Sequence, residues 1–152
     1  MRWFGLGWML LLLFALPVLA ASAGIEGEWL SAPGDARIRI APCGEKLCGT
    51  IVWLLEPLDD DGGPVLDLEN PDESLRRREV LGLRILSDVD GKPNRKGAWK
   101  GGRIYDPNNG KTYRCTISLD GKGNLKLRGF IGISLLGRTE IWTPVKPSAP
   151  AA

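Results

Sequence analysis

Apolar and polar residues alternate along most of this chain in short runs. Ala36-Arg-Ile-Arg-Ile-Ala41 sets Ile38 and Ile40 on one face and Arg37 and Arg39 on the other. Lys111 to Leu119 repeats the pattern, with Tyr113, Cys115, Ile117 and Leu119 opposite Thr112, Arg114, Thr116 and Ser118. A period of two marks a strand with one buried face. Similar runs predict strands over Gly27–Leu30, Gly49–Leu55, Val80–Leu86, Trp99–Tyr105, Leu125–Ile133 and Arg138–Trp142. Asp106-Pro-Asn-Asn-Gly110 and Asp120-Gly-Lys-Gly123 carry hairpin-turn chemistry. One stretch departs from this pattern. Asn70-Pro-Asp-Glu-Ser-Leu-Arg-Arg-Arg78 starts acidic and ends basic, with Asn70 placed to cap, Pro71 at the first helical position and Glu73 at the third. It predicts a minor helix of one or two turns.

About eight short strands joined by tight turns predict an all-β fold with one minor helix. A sheet of that size closes on itself to remove its open edges, and successive hairpins favour a small antiparallel up-and-down β-barrel. Gly27-Glu-Trp29 resembles the first strand of lipocalin-like and streptavidin-like barrels. There a tryptophan plugs one end and a basic residue of the last strand covers it. The resemblance implies those places for Trp29 and Arg138.

The chain starts differently. Arg2 precedes an apolar run from Trp3 to Leu16, Pro17 breaks it, and Ala20, Ala21, Ser22 and Ala23 follow. This order reads as an export signal cleaved after Ala23, with Ala21 and Ala23 in the two small-residue positions. The uncharged stretch from Trp3 to Ala23 could span ~30 Å of hydrocarbon if it stayed uncut. The early proline and small, weakly apolar end favour cleavage. The expected organisation is a signal peptide over 1–23, one barrel domain over 24–143 and a disordered Pro/Ala tail over 144–152. The mature protein is expected in the periplasm or secreted, with no stable membrane span.

Composition narrows the chemistry. There is no histidine among the 152 residues. That removes Ser-His-Asp, Cys-His and His-based zinc mechanisms. Loss of Arg2 takes the formal net charge from +2 to +1, too small to draw in nucleic acid. No cofactor or metal motif stands out. In an oxidising compartment Cys43 and Cys48 are expected to pair across Gly44-Glu-Lys-Leu47 and staple a hairpin. A redox-active or metal-binding pair is the alternative, though the spacing is not Cys-x-x-Cys and no helix signal follows. Cys115 falls on an apolar strand face, where a thiol acts as a small buried hydrophobe.

Polar residues beside turns and strand ends are the candidates for ligand binding: Asp67, Asn70, Asp72, Arg76, Arg78, Trp99, Tyr105, Asp106 and Lys111. Each has a plainer reading. Asn70 and Asp72 can start a helix, Asp106 can form a turn, and Arg76 to Arg78 can be a solvated helix end or a partner for Asp59-Asp-Asp61. That acidic loop also invites calcium, but it lacks the full twelve-residue ligand pattern with its terminal glutamate. The tryptophans past the signal, Trp29, Trp53, Trp99 and Trp142, suit a core and plug, or a pocket at a barrel mouth.

Several groups together resemble a known family. They are Cys43-Gly, Leu47-Cys-Gly-x-Ile-Val-Trp-Leu54, Asn70-Pro-Asp72, Leu75-Arg-x-Arg78, Leu81-Gly-Leu83, Trp99-x-Gly-Gly-x-Ile-Tyr-Asp-Pro107, Gly110-Lys-Thr-Tyr113, Arg128-Gly129 and Leu136-Gly-Arg-Thr-x-x-Trp142. On these the chain is similar to the bacterial exported proteins of domain-of-unknown-function family 2147, over about Gly24 to Trp142. The resemblance implies a secreted or periplasmic single domain and brings no mechanism with it. Two departures are Thr143-Pro144, where members often carry a basic residue, and the thiol at Cys115.

The leading functional expectation is a non-enzymatic binding module of the cell envelope, for a small apolar or amphiphilic ligand or for an envelope partner. No residue is assigned as catalytic. A histidine-independent hydrolase would need a carboxylate pair or a tyrosine base, such as Asp67 with Asp72 or Tyr105 with Asp106. A structural or stress-related envelope protein that binds another protein is the third possibility, and it predicts an exposed apolar patch.

Overall fold

A computed structural model describes residues 24–146 of the chain. The expected signal segment, its cut site and the tail beyond residue 146 lie outside the described residues. Eight antiparallel strands form a closed barrel in sequence order: β1 (Gly27–Leu30), β2 (Ala36–Cys43), β3 (Lys46–Leu54), β4 (Arg84–Asp90), β5 (Ala98–Asp106), β6 (Lys111–Leu119), β7 (Leu125–Phe130) and β8 (Arg138–Pro144). Each strand pairs with its neighbour, and β1 closes the ring on β8 through Trp29–Pro144 and Leu30–Thr143. The all-β up-and-down barrel is therefore as the alternation predicts.

Alternation also fills the interior. Ile38 and Ile40 of β2 face Ile51 and Gly49 of β3, while Ile117 of β6 faces Leu127 of β7. Together with Trp29, Leu86, Val89, Trp99, Cys115, Leu125 and Trp142 they make one buried core. Glycine is needed where strands crowd inward. A Cβ on Gly102 would sit 2.6 Å from the Cys115 sulfur and 2.9 Å from Val89 Cγ2. On Gly49 it would sit 2.9 Å from Leu86 Cβ. This part of the barrel is packed solid.

Four sequence expectations shift. The strand expected over Val80–Leu86 begins at Arg84 and runs to Asp90. Val80 and Leu83 instead pack into the core from the preceding connection. Their backbones turn there, Gly82 N–H donating to Ile51 O and Leu83 O accepting from Ile51 N–H. β7 stops at Phe130 because Gly132 takes a positive φ of 77° and starts a turn. The minor helix is one 3-10 turn, Glu73–Leu75, capped by Asp72 and not by Asn70. Pro144, expected in the tail, ends β8, and Val145 N–H donates to Glu28 O.

The Trp29–Arg138 pairing is not made. Trp29 is buried, and its indole N–H donates to Ile25 O at 2.8 Å. Arg138 is exposed and pairs with Gly129 at the opposite end of β8 from Pro144, which lies beside Trp29. Six residues of strand, roughly 20 Å at ~3.3 Å each, separate Arg138 from that position. Cys43 and Cys48 form a disulfide with Cα atoms 5.8 Å apart, stapling the β2–β3 hairpin. Cys115 is free and buried.

Candidate functional site

The connection between β3 and β4, residues 55–83, is the longest in the barrel, and it builds the polar site. It doubles back on itself: Asp67 N–H donates to Arg78 O and Val80 N–H to Val65 O. This brings Asp67, Asn70 and Arg78 against Tyr105 on the outer face of β5. The Asp67 side chain has no exposed surface. A buried carboxylate must be hydrogen-bonded on both oxygens to be tolerated. Tyr105 OH donates to Oδ1 at 2.5 Å. Asn70 Nδ2 donates to Oδ2 at 2.8 Å, and Arg78 Nε to Oδ2 at 2.9 Å. Burial first, then this hydrogen bond to Asp67, pushes the Tyr105 phenol up to about 12.

Further bonds extend the network. Asn70 Oδ1 accepts from Asp72 N–H at 2.9 Å, and Asn70 O accepts from Arg76 Nε at 2.8 Å. Asn70 is thus drawn toward Asp67, which moves the cap to Asp72. The Asp72 carboxylate accepts from the Ser74 N–H and hydroxyl, and those bonds hold it below the usual carboxylate range. The β5–β6 turn locks against the same loop at Gly110, whose φ is +67°; a Cβ there would overlap the Glu69 carbonyl oxygen. Six of the nine residues picked out by sequence, Asp67, Asn70, Asp72, Arg76, Arg78 and Tyr105, therefore form one assembly.

The other three lie apart from it. Trp99 is in the core, paired with Ile117. Asp106 shapes its own turn, accepting from Asn108 N–H and Asn109 Nδ2, each at 2.9 Å. Lys111 is exposed and its N–H donates to Asn109 Oδ1. The Asp59 carboxylate likewise accepts from Asp61 and Gly63 N–H groups of its own loop. Among the described residues no three acidic or cysteine side chains gather as a metal-ligand set.

An open cleft of about 360 Å³ lies beside the assembly on the outer barrel wall. Asn70, Arg78 and Tyr105 line it, and so do Arg84, Ser87, Asp88, Arg103 and Thr112. Three guanidinium groups thus share a concavity with one carboxylate. Arg78 is fixed by Asp67 through Nε, and its guanidinium carbon sits 5.8 Å from the Tyr105 ring centre. Arg103 stands 3.9 Å from Asp88, a loose pair between exposed side chains. Sequence reasoning missed Arg84, Ser87, Asp88 and Arg103. Arg103 shares the face of Tyr105 two residues on, so strict alternation could have found it. Arg84 and Ser87 were hidden by the misplaced strand. Asp88 has a positive φ of 59°, which breaks the alternation of β4.

The family model described as an uncharacterized protein conserved in bacteria (DUF2147) matches residues 27–144. The chain belongs to that family. The match spans all eight strands of this DUF2147 barrel and the whole cleft. No curated protein matches the chain. Among solved structures, the DUF2147 barrel is similar to protein HP1028 from the human pathogen Helicobacter pylori, described as belonging to the lipocalin family. The TM-score is 0.67 at 22% identity, over 80% of this chain and 83% of that one. The fold is thus lipocalin-like.

Proposed function

We propose that this protein is an exported, non-enzymatic binding module whose ligand carries an anionic group seated in the outer-wall cleft. The carrying observation is the convergence of Arg78, Arg84 and Arg103 on one concavity lined by a single carboxylate, Asp88. Guanidinium forks suit carboxylate and phosphate oxygens, and Arg78 is already oriented by its bond to Asp67. The Ser87 and Thr112 hydroxyls can complete the shell of such a group, while the Asn70 amide is already spent on Asp67 and Tyr105. A lipocalin-like barrel supports a small-molecule ligand in general, and the crowding inside the barrel at Gly49 and Gly102 favours an outer-wall site for it. Pro71 and Ile85 also line the cleft and suit an amphiphile with a short apolar tail.

The carboxylate-hydrolase alternative is weaker. Asp67 is fully buried and saturated, Asp72 is taken up by Ser74, and Asp106 by its turn. A phenol raised to about 12 makes a poor base near neutral pH. Export is supported by the order of Arg2, apolar run, Pro17 and small residues, and by the disulfide. It predicts a mature protein whose N-terminal sequence begins at Gly24; recovery with Met1 still in place would contradict it.

Calorimetric titration with octyl phosphate, and with octyl glucoside as the uncharged control, tests the ligand class. The phosphate should bind and the glucoside should not. The double variant Arg84→Gln/Arg103→Gln should lose about tenfold or more in affinity, since charge-assisted hydrogen bonds contribute roughly 1.5–3 kcal/mol each. Equal binding of both amphiphiles, or an unchanged affinity in the variant, would sink the proposal.

A further inference from the structure

The β7–β8 connection breaks the rule that loop tips are polar. Ile131, Ile133, Leu135 and Leu136 are 69, 60, 80 and 79% exposed, four aliphatic side chains within six residues. The tip is ordered in spite of this. Arg128 reaches along it, Nε donating to Ser134 O at 2.6 Å and Nη2 to Leu135 O at 3.1 Å. Its Nη1 donates to Thr139 Oγ1 at 2.9 Å. Ile133 O accepts from Leu136 N–H, and Ser134 O also accepts from Gly137 N–H. The carbonyls of Ile133, Ser134 and Leu135 are thus bonded within the protein while their neighbours' side chains project outward. Four exposed aliphatic side chains held in this way suit contact with a low-dielectric phase.

Charge identifies that phase. Phe130 to Thr139 contains no acidic residue. Arg114, Arg128 and Arg138 stand around the base of the tip on β6, β7 and β8, and the Arg114 guanidinium carbon lies 5.9 Å from the Phe130 ring centre. The nearest acid on β8, Glu140, accepts from the Trp142 indole N–H. An apolar tip ringed by arginines matches the boundary between acyl chains and anionic headgroups. A second copy of this chain matches it poorly, because two such collars would face each other. We propose that residues 131–136 dock this protein onto an anionic lipid surface. The acidic Asp59–Asp61 segment belongs to the β3–β4 connection, four strands round the barrel, so docking tilts the barrel toward β7 and β8. The collar adjoins the cleft at one point, where Arg114 of β6 pairs with Arg103 of β5, while the apolar tip itself lies on the β7–β8 connection.

Flotation with vesicles of phosphatidylcholine alone, and of phosphatidylcholine with 30% phosphatidylglycerol, tests this. The full mature chain should float with the anionic vesicles and far less with the neutral ones. Leu135→Ser/Leu136→Ser removes two solvent-facing side chains and should leave the thermal midpoint unchanged while cutting vesicle binding tenfold or more. Arg138→Gln should cut it about fivefold. The cleft variant Arg84→Gln, on β4 and away from Arg114, should bind vesicles like the parent, which separates this surface from the cleft. Undiminished binding by the Leu135/Leu136 variant overturns the proposal. So does absence of binding to either vesicle, or a dimer in sedimentation that the same variant dissolves.

Discussion

Two protons, one on a buried thiol and one on a half-buried phenol, govern how single residues respond to alkali. Burial pushes the Cys115 thiol from 9.0 to about 12, and burial with the Asp67 hydrogen bond pushes Tyr105 from 10.0 to about 12. Both groups keep a proton in the folded state that the unfolded chain releases. Their contribution to stability is therefore complete below about pH 9 and falls as pH climbs to about 12. Thermal midpoints measured from pH 8 to 12 should decline through that window. Cys115→Ala should flatten the part that begins near pH 9, and Tyr105→Phe the part that begins near pH 10. A flat parent profile would mean that neither group is held as described. Cys115 was legible in the sequence because its strand alternates without interruption. The role of Asn70 was not: its sequence context marks a helix start, whereas Asp67 and Tyr105, distant in sequence from one another, recruit its side chain.

At the scale of elements, the connection over residues 55–83 is held by the contacts of Asp67. Arg78→Met keeps the length of the side chain and removes its bond to a carboxylate that has no access to water. The expected cost is about 2–4 kcal/mol in urea unfolding, since a buried charge that loses a partner keeps its desolvation penalty. Amide exchange should rise over Leu66–Val80 and stay unchanged in β6 and β7. A loss spread evenly over the barrel would contradict a local clamp. The strands were mostly legible because a period of two was paired with turn residues, as in β2 and β6. Where backbone geometry departed from that period the reading slipped. Gly82 and Asp88, both with positive φ, bracket the start and the bulge of β4. Gly132 cuts β7 short in the same way.

On the proposed reading the molecule divides its surface by function, with ligand recognition on the wall of β4 and β5 and lipid contact at the β7–β8 tip, around a buried core of strand residues. Much of the polar assembly could be named from sequence, since turn-proximal Asp, Asn, Arg and Tyr residues stood out. The arginines that complete the cleft could not, because Arg84 and Arg103 meet only once β4 and β5 pair with Ser87 opposite Arg103. The expected cover of Trp29 failed for the same reason: strand register, which sequence leaves open, sent Arg138 to the tip end of β8. The central claim is that the cleft takes an anionic ligand while the interior stays closed. Amide and arginine side-chain NMR shifts recorded during an octyl phosphate titration test it most directly. Shifts confined to Arg78, Arg84, Ser87, Arg103 and Tyr105 are predicted, with the indole signals of Trp99 and Trp142 unmoved; movement of those indoles, with the cleft silent, would place the ligand inside the barrel and contradict the account.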